Sequence, residues 1–195
     1  MTQGDNVMKT LENPNDISWP DMTTEQREKL HREGAWSPSQ LLDRLTSLGL
    51  ETRTIEHQPV FTVEESIEGR GDLPGGHCKN LFLKNKKGQM WLVSMLEDDR
   101  LDIKALGQII GGERLSFCKP DRLMTHLGVI PGSVTPFSVV NDAQRQVTVI
   151  LQARMMAHSP IHFHPLRNHL TTAIKPADLV TFLEAEGHPP TILDF

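Results

Sequence analysis

Two apolar runs, Cys78 to Lys84 and Met90 to Leu96, flank the polar tetrapeptide Asn85-Lys86-Lys87-Gly88. Runs of this length, rich in Leu, Val, Phe and Trp and joined by a short turn ending in glycine, read as a β-hairpin. A two-stranded hairpin does not stand alone in water, so the rest of the chain must extend the sheet and cover it. No other feature limits the fold as much.

The remaining segments supply candidates. Ser37-Pro38 is an N-cap followed by proline at the first helical position; Leu41, Leu42, Leu45 and Leu48 then recur at helical spacing until Gly49. Thr52 to Glu56 reads as a strand. Thr62-Val63-Glu64-Glu65 reads as a helix start with an acidic first turn, and Gly69 to Gly76 as a flexible glycine-rich loop. That loop lacks the lysine-serine ending of a phosphate-binding P-loop, so it reads as a lip beside a site. Further along, the pattern predicts helices over Leu101 to Ile110, Pro120 to Leu127 and Pro176 to Glu186, each stopped by glycine. Short strands are expected over Leu115 to Cys118, Ile161 to Phe163, Leu170 to Ile174 and Thr191 to Leu193. Phe137 to Val140 and Val147 to Leu151 read as a strand pair around Asn141-Asp142-Ala143-Gln144. Helices and strands mix irregularly, which favours an α+β fold with a mixed, largely antiparallel sheet.

Residues 1–36 differ from this body. Asn13-Pro14-Asn15-Asp16 and Trp19-Pro20-Asp21 sit among scattered polar residues with no regular apolar spacing. A largely disordered leader is expected, with a short helix over Thr23 to Glu33 and with Trp19 and Trp36 as anchors onto the body. The body, residues 37–195, reads as one domain. A hydrophobic share of 37% with 23% charged residues suits a soluble protein. No apolar run approaches a membrane span, and the start lacks a signal peptide, so the expected location is cytoplasmic with no membrane partner. A net charge of −5 argues against a protein that coats duplex DNA. It leaves room for a local grip on one RNA end. Lys79, Lys84, Lys86 and Lys87, followed by Arg100, Lys104 and Arg114, form a candidate patch, or else a solvated hairpin tip.

Three segments carry candidate chemistry. Lys79 would share a strand face with Leu81 and Leu83, either as an edge lysine that discourages aggregation or as a cation at a pocket mouth. Gly128-Val129-Ile130-Pro131-Gly132-Ser133-Val134-Thr135-Pro136 holds two glycines and two prolines in a tight loop. With these residues it is either a rigid connection or a set of backbone N–H donors able to grip a carbonyl oxygen. In Phe163-His164-Pro165-Leu166-Arg167-Asn168, His164 is either a structural histidine or a site residue. His158, His162, His164 and His169 lie close in sequence, but their spacing is not that of an HExxH pair and no acidic ligand completes a set, so no metal is expected. Cys78 and Cys118 read as reduced, buried thiols.

In this order and spacing, Lys79-Asn80, the Gly132 to Pro136 loop and the His164-Pro165-Leu166 segment resemble the YbaK-type editing superfamily, which includes the insertion domain of bacterial prolyl-tRNA synthetases. The similarity runs from about Ser37 to Phe195. It is nearest to the free-standing alanyl-tRNA(Pro) deacylases (ProXp-ala or PrdX-like). That resemblance implies a single-domain YbaK-like fold, partly barrel-like, with surrounding helices. It also implies hydrolysis of mischarged Ala-tRNA(Pro) in trans, without cofactor or protein nucleophile and with a tRNA ribose hydroxyl as proton relay. Lys79, Gly132 and His164 would be the catalytic positions. Asn80, Ser133, Val134, Thr135, Pro136 and Asn168 would bind substrate, Asn80 beside Lys79 and Asn168 bracing the histidine loop. The implied partners are the 3′ acceptor end of tRNA(Pro) and, beyond it, prolyl-tRNA synthetase or an elongation factor.

The chemistry is compatible with the absence of a nucleophile motif: no G-x-S-x-G surrounds Ser133 or Ser138. An aminoacyl ester is already activated and needs a positioned water and a stabilised oxyanion. Such an enzyme is useful because a synthetase pocket for proline rejects alanine by only about 1–3 kcal/mol per missing methylene, whereas a second, smaller pocket sorts by size. Ile130, Val134, Val139 and Leu166 are candidate pocket walls. Competing readings are a Cys- or Ser/Thr-directed relative, a non-catalytic module that binds tRNA or synthetase, and a metal-dependent hydrolase using the histidines.

Overall fold

A computed structural model describes Ser18, Thr23 and residues 33–57 and 73–195. The expected helix between Thr23 and Glu33, the one from Thr62, and the first half of the glycine-rich loop at 69–76 lie outside the described residues.

The hairpin forms as expected. Strand β2 (Gly76–Lys84) pairs antiparallel with β3 (Met90–Leu96), with Asn80 opposite Ser94. Helix α1 (Pro38–Ser47) and strand β1 (Thr52–Glu56) precede it. After it come α2 (Ile103–Ile109), β4 (Ser116–Phe117), α3 (Pro120–Leu127), β5 (Val147–Gln152), β6 (Ile161–Phe163), β7 (Leu170–Ile174), α4 (Pro176–Ala185) and β8 (Thr191–Leu193). The sheet runs β1-β7-β6-β2-β3-β5-β8, with β4 on β2. Among the described residues, four pairings are antiparallel and three, β2 with β6, β3 with β5 and β5 with β8, are parallel. The mixed α+β sheet is therefore correct, with antiparallel pairing only narrowly ahead.

Alternation along β3 feeds two cores. Met90, Leu92 and Leu96 join Leu41 and Leu45 of α1, Leu123 and Leu127 of α3, and Leu179, Phe182 and Leu183 of α4. Trp91 and Val93 turn to a smaller cluster with Leu83, Leu106 of α2, Leu115 and Ile150. All seven residues of β3 are buried, as a strand covered on both faces must be. The hairpin is thus the rigid centre of the domain.

Local chemistry explains the helix ends. Ser37 accepts from the amide of Gln40 while the Gln40 side chain accepts from the amide of Ser37, a reciprocal capping box in front of Pro38. Trp36, one residue earlier, packs against the main core and donates its amide to Asn141 Oδ1 at 2.9 Å.

One expectation fails. Phe137 to Val140 is not a strand; residues Pro136–Asn141 form a 3₁₀ helix. Thr135 caps it, its hydroxyl accepting from the Phe137 amide, and Pro136 supplies a preset φ at the first position. Three apolar residues, Phe137, Val139 and Val140, look strand-like in sequence, but the Thr-Pro start decides the local structure.

Candidate active site

The parallel pairing of β2 with β6 sets Gly76 beside Ile161 and His77 beside His162. There, where β2, β6 and β7 meet, a cavity of about 40 Å³ opens, lined by His57, His77, Cys78, Asn80, Glu97, His162, Phe163, His164 and Thr171. That is room for about three water molecules, or for one small side chain.

His164 is placed by the loop that follows β6. Leu166 sits at φ +68°, a left-handed conformation costing a non-glycine residue roughly 1–2 kcal/mol. Its side chain is fully buried in the main core, which offsets that cost. The Leu166 amide donates to the His164 carbonyl at 2.9 Å, closing a tight turn over Pro165. The ring of His164 then donates Nδ1–H to the Leu170 carbonyl at 2.7 Å, since a carbonyl can only accept. Burial pushes the His164 pKa down to about 4, against the opposing pull of that hydrogen bond and with help from nearby His57 and His169. At neutral pH the imidazole is uncharged, and Nε2 carries the lone pair.

Asn80 spans two elements. Its Nδ2 donates to the Val134 carbonyl at 2.9 Å, and its Oδ1 accepts from Ser94 Oγ at 2.7 Å. The bond to Val134 ties the glycine-proline loop to the central strand. That loop begins with a turn in which the Ser133 amide donates to the Ile130 carbonyl at 3.0 Å. Pro131 and Gly132 (φ +85°) fill its middle positions, the pairing a positive-φ turn requires.

The site residues expected from sequence therefore fall into groups. Asn80 and His164 line the cavity, and Val134 is bound to Asn80. Lys79 points elsewhere: its ammonium donates to the carbonyls of Glu97 (2.8 Å) and Asp99, just past the end of β3. It reaches the cavity only through Glu97, one of the lining residues. Gly132, Ser133, Thr135, Pro136 and Asn168 are absent from the lining; Ser133, Thr135, Pro136 and Asn168 are buried. The apolar wall is Phe163, not Ile130, Val134, Val139 or Leu166. Sequence reasoning missed His57, Glu97 and Thr171. An acid directly after a seven-residue strand that is apolar except for Ser94 was a signal for Glu97; nothing near His57 or Thr171 marked them.

No side chain here is armed as a nucleophile. Burial raises the Cys78 thiol to about 12, so it stays protonated. Ser133 Oγ is buried without a hydrogen-bond partner, hence without a base beside it, and Ser138 Oγ donates to the Thr135 carbonyl. His77 and His162 stack at 4.7 Å and donate their Nε2–H to the carbonyls of Leu73 and Pro74. Among the described residues, no three His, Cys, Asp or Glu side chains converge as metal ligands. A neutral imidazole, a polar cleft and a tethered loop suit the handling of a water and a small polar substrate.

Comparison with known proteins agrees with this class of site. Residues 57–182 match the aminoacyl-tRNA editing domain, and the chain belongs to that family. It is 40% identical over 158 residues to the zebrafish (Danio rerio) prolyl-tRNA synthetase associated domain-containing protein 1, covering 80% of this chain and 86% of that one. It is 34% identical over 149 residues to the prolyl-tRNA editing protein ProX of Acetoanaerobium sticklandii, covering 76% and 91%. The fold matches the crystal structure of a candidate trans-editing enzyme for prolyl-tRNA synthetase with a TM-score of 0.64 at 17% identity, over 83% of this chain and 98% of that one.

Proposed function

We propose that this protein is a trans-editing deacylase that removes alanine from mischarged Ala-tRNA(Pro). The observation that carries the reading is the small cavity walled by Phe163, Asn80 and the neutral His164, which suits a one-methyl side chain better than a proline ring. Similarity to a prolyl-tRNA editing protein over three quarters of the chain supports the choice of tRNA.

In this reaction a water oxygen attacks the ester carbonyl carbon, the bond from that carbon to the ribose oxygen breaks, and one proton from the water reaches the departing oxygen through the neighbouring ribose hydroxyl. Free alanine and an uncharged 3′ end result. Gly132 and its loop would position the ester carbonyl, with Asn80 holding that loop in place. His164 Nε2 accepts a hydrogen bond from the substrate or the attacking water. Lys79, whose ammonium keeps a third N–H beyond those given to the Glu97 and Asp99 carbonyls, would hold the tRNA 3′ end. The name shared by the vertebrate relatives makes prolyl-tRNA synthetase the first protein partner to test.

Deacylation of Ala-tRNA(Pro), Pro-tRNA(Pro) and Cys-tRNA(Pro) tests this directly, with Lys79→Ala and EDTA as controls. The expected result is rapid release of alanine alone, abolished by the substitution and indifferent to the chelator. Turnover of none of the three substrates would overturn it and leave a non-catalytic binding module as the better account.

A further inference from the structure

A second and larger hollow adjoins the cavity. It measures about 100 Å³ and is walled by Ile55 of β1, Ala173 of β7 and the loop residues Leu73, Pro74 and Pro160, with exposed Arg53 beside them. His162 and Thr171 line both hollows, so the two share a wall. Strand pairing explains the placement. Arg53 faces Ala173 and Ala173 faces His162, one row across β1, β7 and β6, while Ile55 and Thr171 form the next row on the same face. Backbone bonds hold both prolines against that face: the Gly76 amide donates to the Pro160 carbonyl at 2.8 Å, and His162 Nε2–H donates to the Pro74 carbonyl at 2.9 Å. Between them Gly75, at φ +121°, passes so close that a Cβ would stand 2.3 Å from the Pro160 oxygen. In the dividing wall, Thr171 Oγ1 and His57 Nε2 share a hydrogen bond at 2.8 Å.

The slot is therefore preformed, largely apolar and, among its described residues, fixed in charge only by Arg53. Two proline rings over a pleated sheet accept a planar group by its faces and do not read its edges. A nucleobase is such a group, and its phosphate is the partner that a guanidinium complements. Continuity with the cavity decides which nucleobase. An aminoacyl group and a base hang from one ribose, the first by an ester to a ring hydroxyl and the second from C1′. A side chain in the small cavity thus brings its own base to the adjoining slot. We infer that the slot between Pro74, Pro160 and Ala173 is the subsite for the 3′-terminal nucleobase of the tRNA, with Arg53 meeting the phosphate on its 5′ side. This rests on the deacylase reading, which puts the aminoacyl group in the cavity. Contact with faces alone suffices there, because the terminal adenosine is common to all tRNAs.

The RNA trinucleotide 5′-CCA-3′ and its analogue with an abasic terminal ribose test the inference, with binding followed by NMR titration of the backbone amides. The wild type should bind the abasic form at least ~10-fold more weakly, the scale of one lost stacking contact. Ala173→Leu, which fills the slot from outside the cavity lining, should weaken CCA binding by a similar factor and leave the abasic form unchanged. Arg53→Gln should weaken both alike and make both less sensitive to salt. Equal wild-type affinity for the two trinucleotides would overturn the inference, whether or not the variants fold. So would a full base preference retained by Ala173→Leu, which would place the base elsewhere. Alanine release from Ala-tRNA(Pro), measured alongside, separates the two readings. Release without base preference removes the slot and keeps the deacylase; base preference without release keeps the slot and removes the deacylase.

Discussion

Acidification is the most informative perturbation of this site, because it acts on a histidine that the fold holds far from its ordinary ionisation. His164 has a pKa of about 4 in the folded chain, whereas an unfolded histidine titrates near ~6.5. Above about pH 6.5 both states are neutral and the group contributes no pH dependence. As pH falls below that, the unfolded chain takes up a proton that the folded chain refuses, so stability drops until the folded pKa is reached. Between pH 7 and pH 4.5 the loss attributable to this residue works out at about 2–3 kcal/mol. Urea unfolding of the wild type and of His164→Gln, at several pH values across that window, isolates the term from the other histidines. The wild type should lose about 2–3 kcal/mol more than the variant. The His164 ring should also show no NMR titration step near pH 6.5. Parallel stability curves, or a titration midpoint near 6.5, would refute the claim that Leu170 and burial hold a neutral Nδ1–H tautomer. Any deacylase role that needs Nε2 as an acceptor at pH 7 would go with it.

Two further substitutions probe the scaffold. Asn80→Ala removes both the donor to Val134 and the acceptor for Ser94, so it should cost about 1–3 kcal/mol in urea unfolding and lower kcat at least ~10-fold. Asn80→Asp, which keeps only the Ser94 bond, should recover part of the stability but not the kcat; full recovery of both would show that the tether to the loop is not needed. Gly128→Ala places a Cβ at φ +65°, 2.7 Å from Asn141 Cγ and 3.0 Å from Ala35 Cβ. Because Asn141 also holds the Leu127 carbonyl and the Trp36 amide, the expected cost is about 2–3 kcal/mol, and an unchanged unfolding midpoint would refute it.

Much of this architecture was legible because its signals are local. Ser37-Pro38, Pro120 with Gly128, and Pro176 with Gly187 each carry their own start and stop chemistry, and the helices fall between them. The hairpin was equally plain, since β3 has six apolar residues out of seven, with Ser94 the exception, and leaves no polar face for a surface element. Phe137 to Val140 misled because apolar content does not tell a buried 3₁₀ turn from a strand; the Thr135 cap and Pro136 do. The site was less legible for a different reason. His164 and Asn80 sit in recognisable motifs, yet Glu97, His57 and Thr171 reach the cavity only through pairings between strands distant in sequence, such as Ile55 with Thr171. No periodicity within one segment encodes that meeting. Lys79 shows the converse: its strand face was foreseeable, but its carbonyl partners lie at the end of the neighbouring strand.

The topology also explains why a site without a nucleophile belongs here. The hairpin carrying Asn80 is clamped between two cores, so the tether from Asn80 to Val134 and the β2–β6 contact at His77 and His162 are both fixed to its most buried part. A rigid frame of this kind is poorly suited to the movements of covalent catalysis, and the thiol that it buries beside the cavity is unreactive. It is well suited to holding acceptors, a neutral imidazole and backbone amides at constant positions around an ester that is reactive already. Under the proposed reaction, selectivity would come from what fits among residues that packing holds in place. A frame that instead closed only on binding would show large differences in backbone protection with and without tRNA. The arrangement around β2 and β3 predicts that hydrogen exchange of their amides stays slow and unchanged in both states.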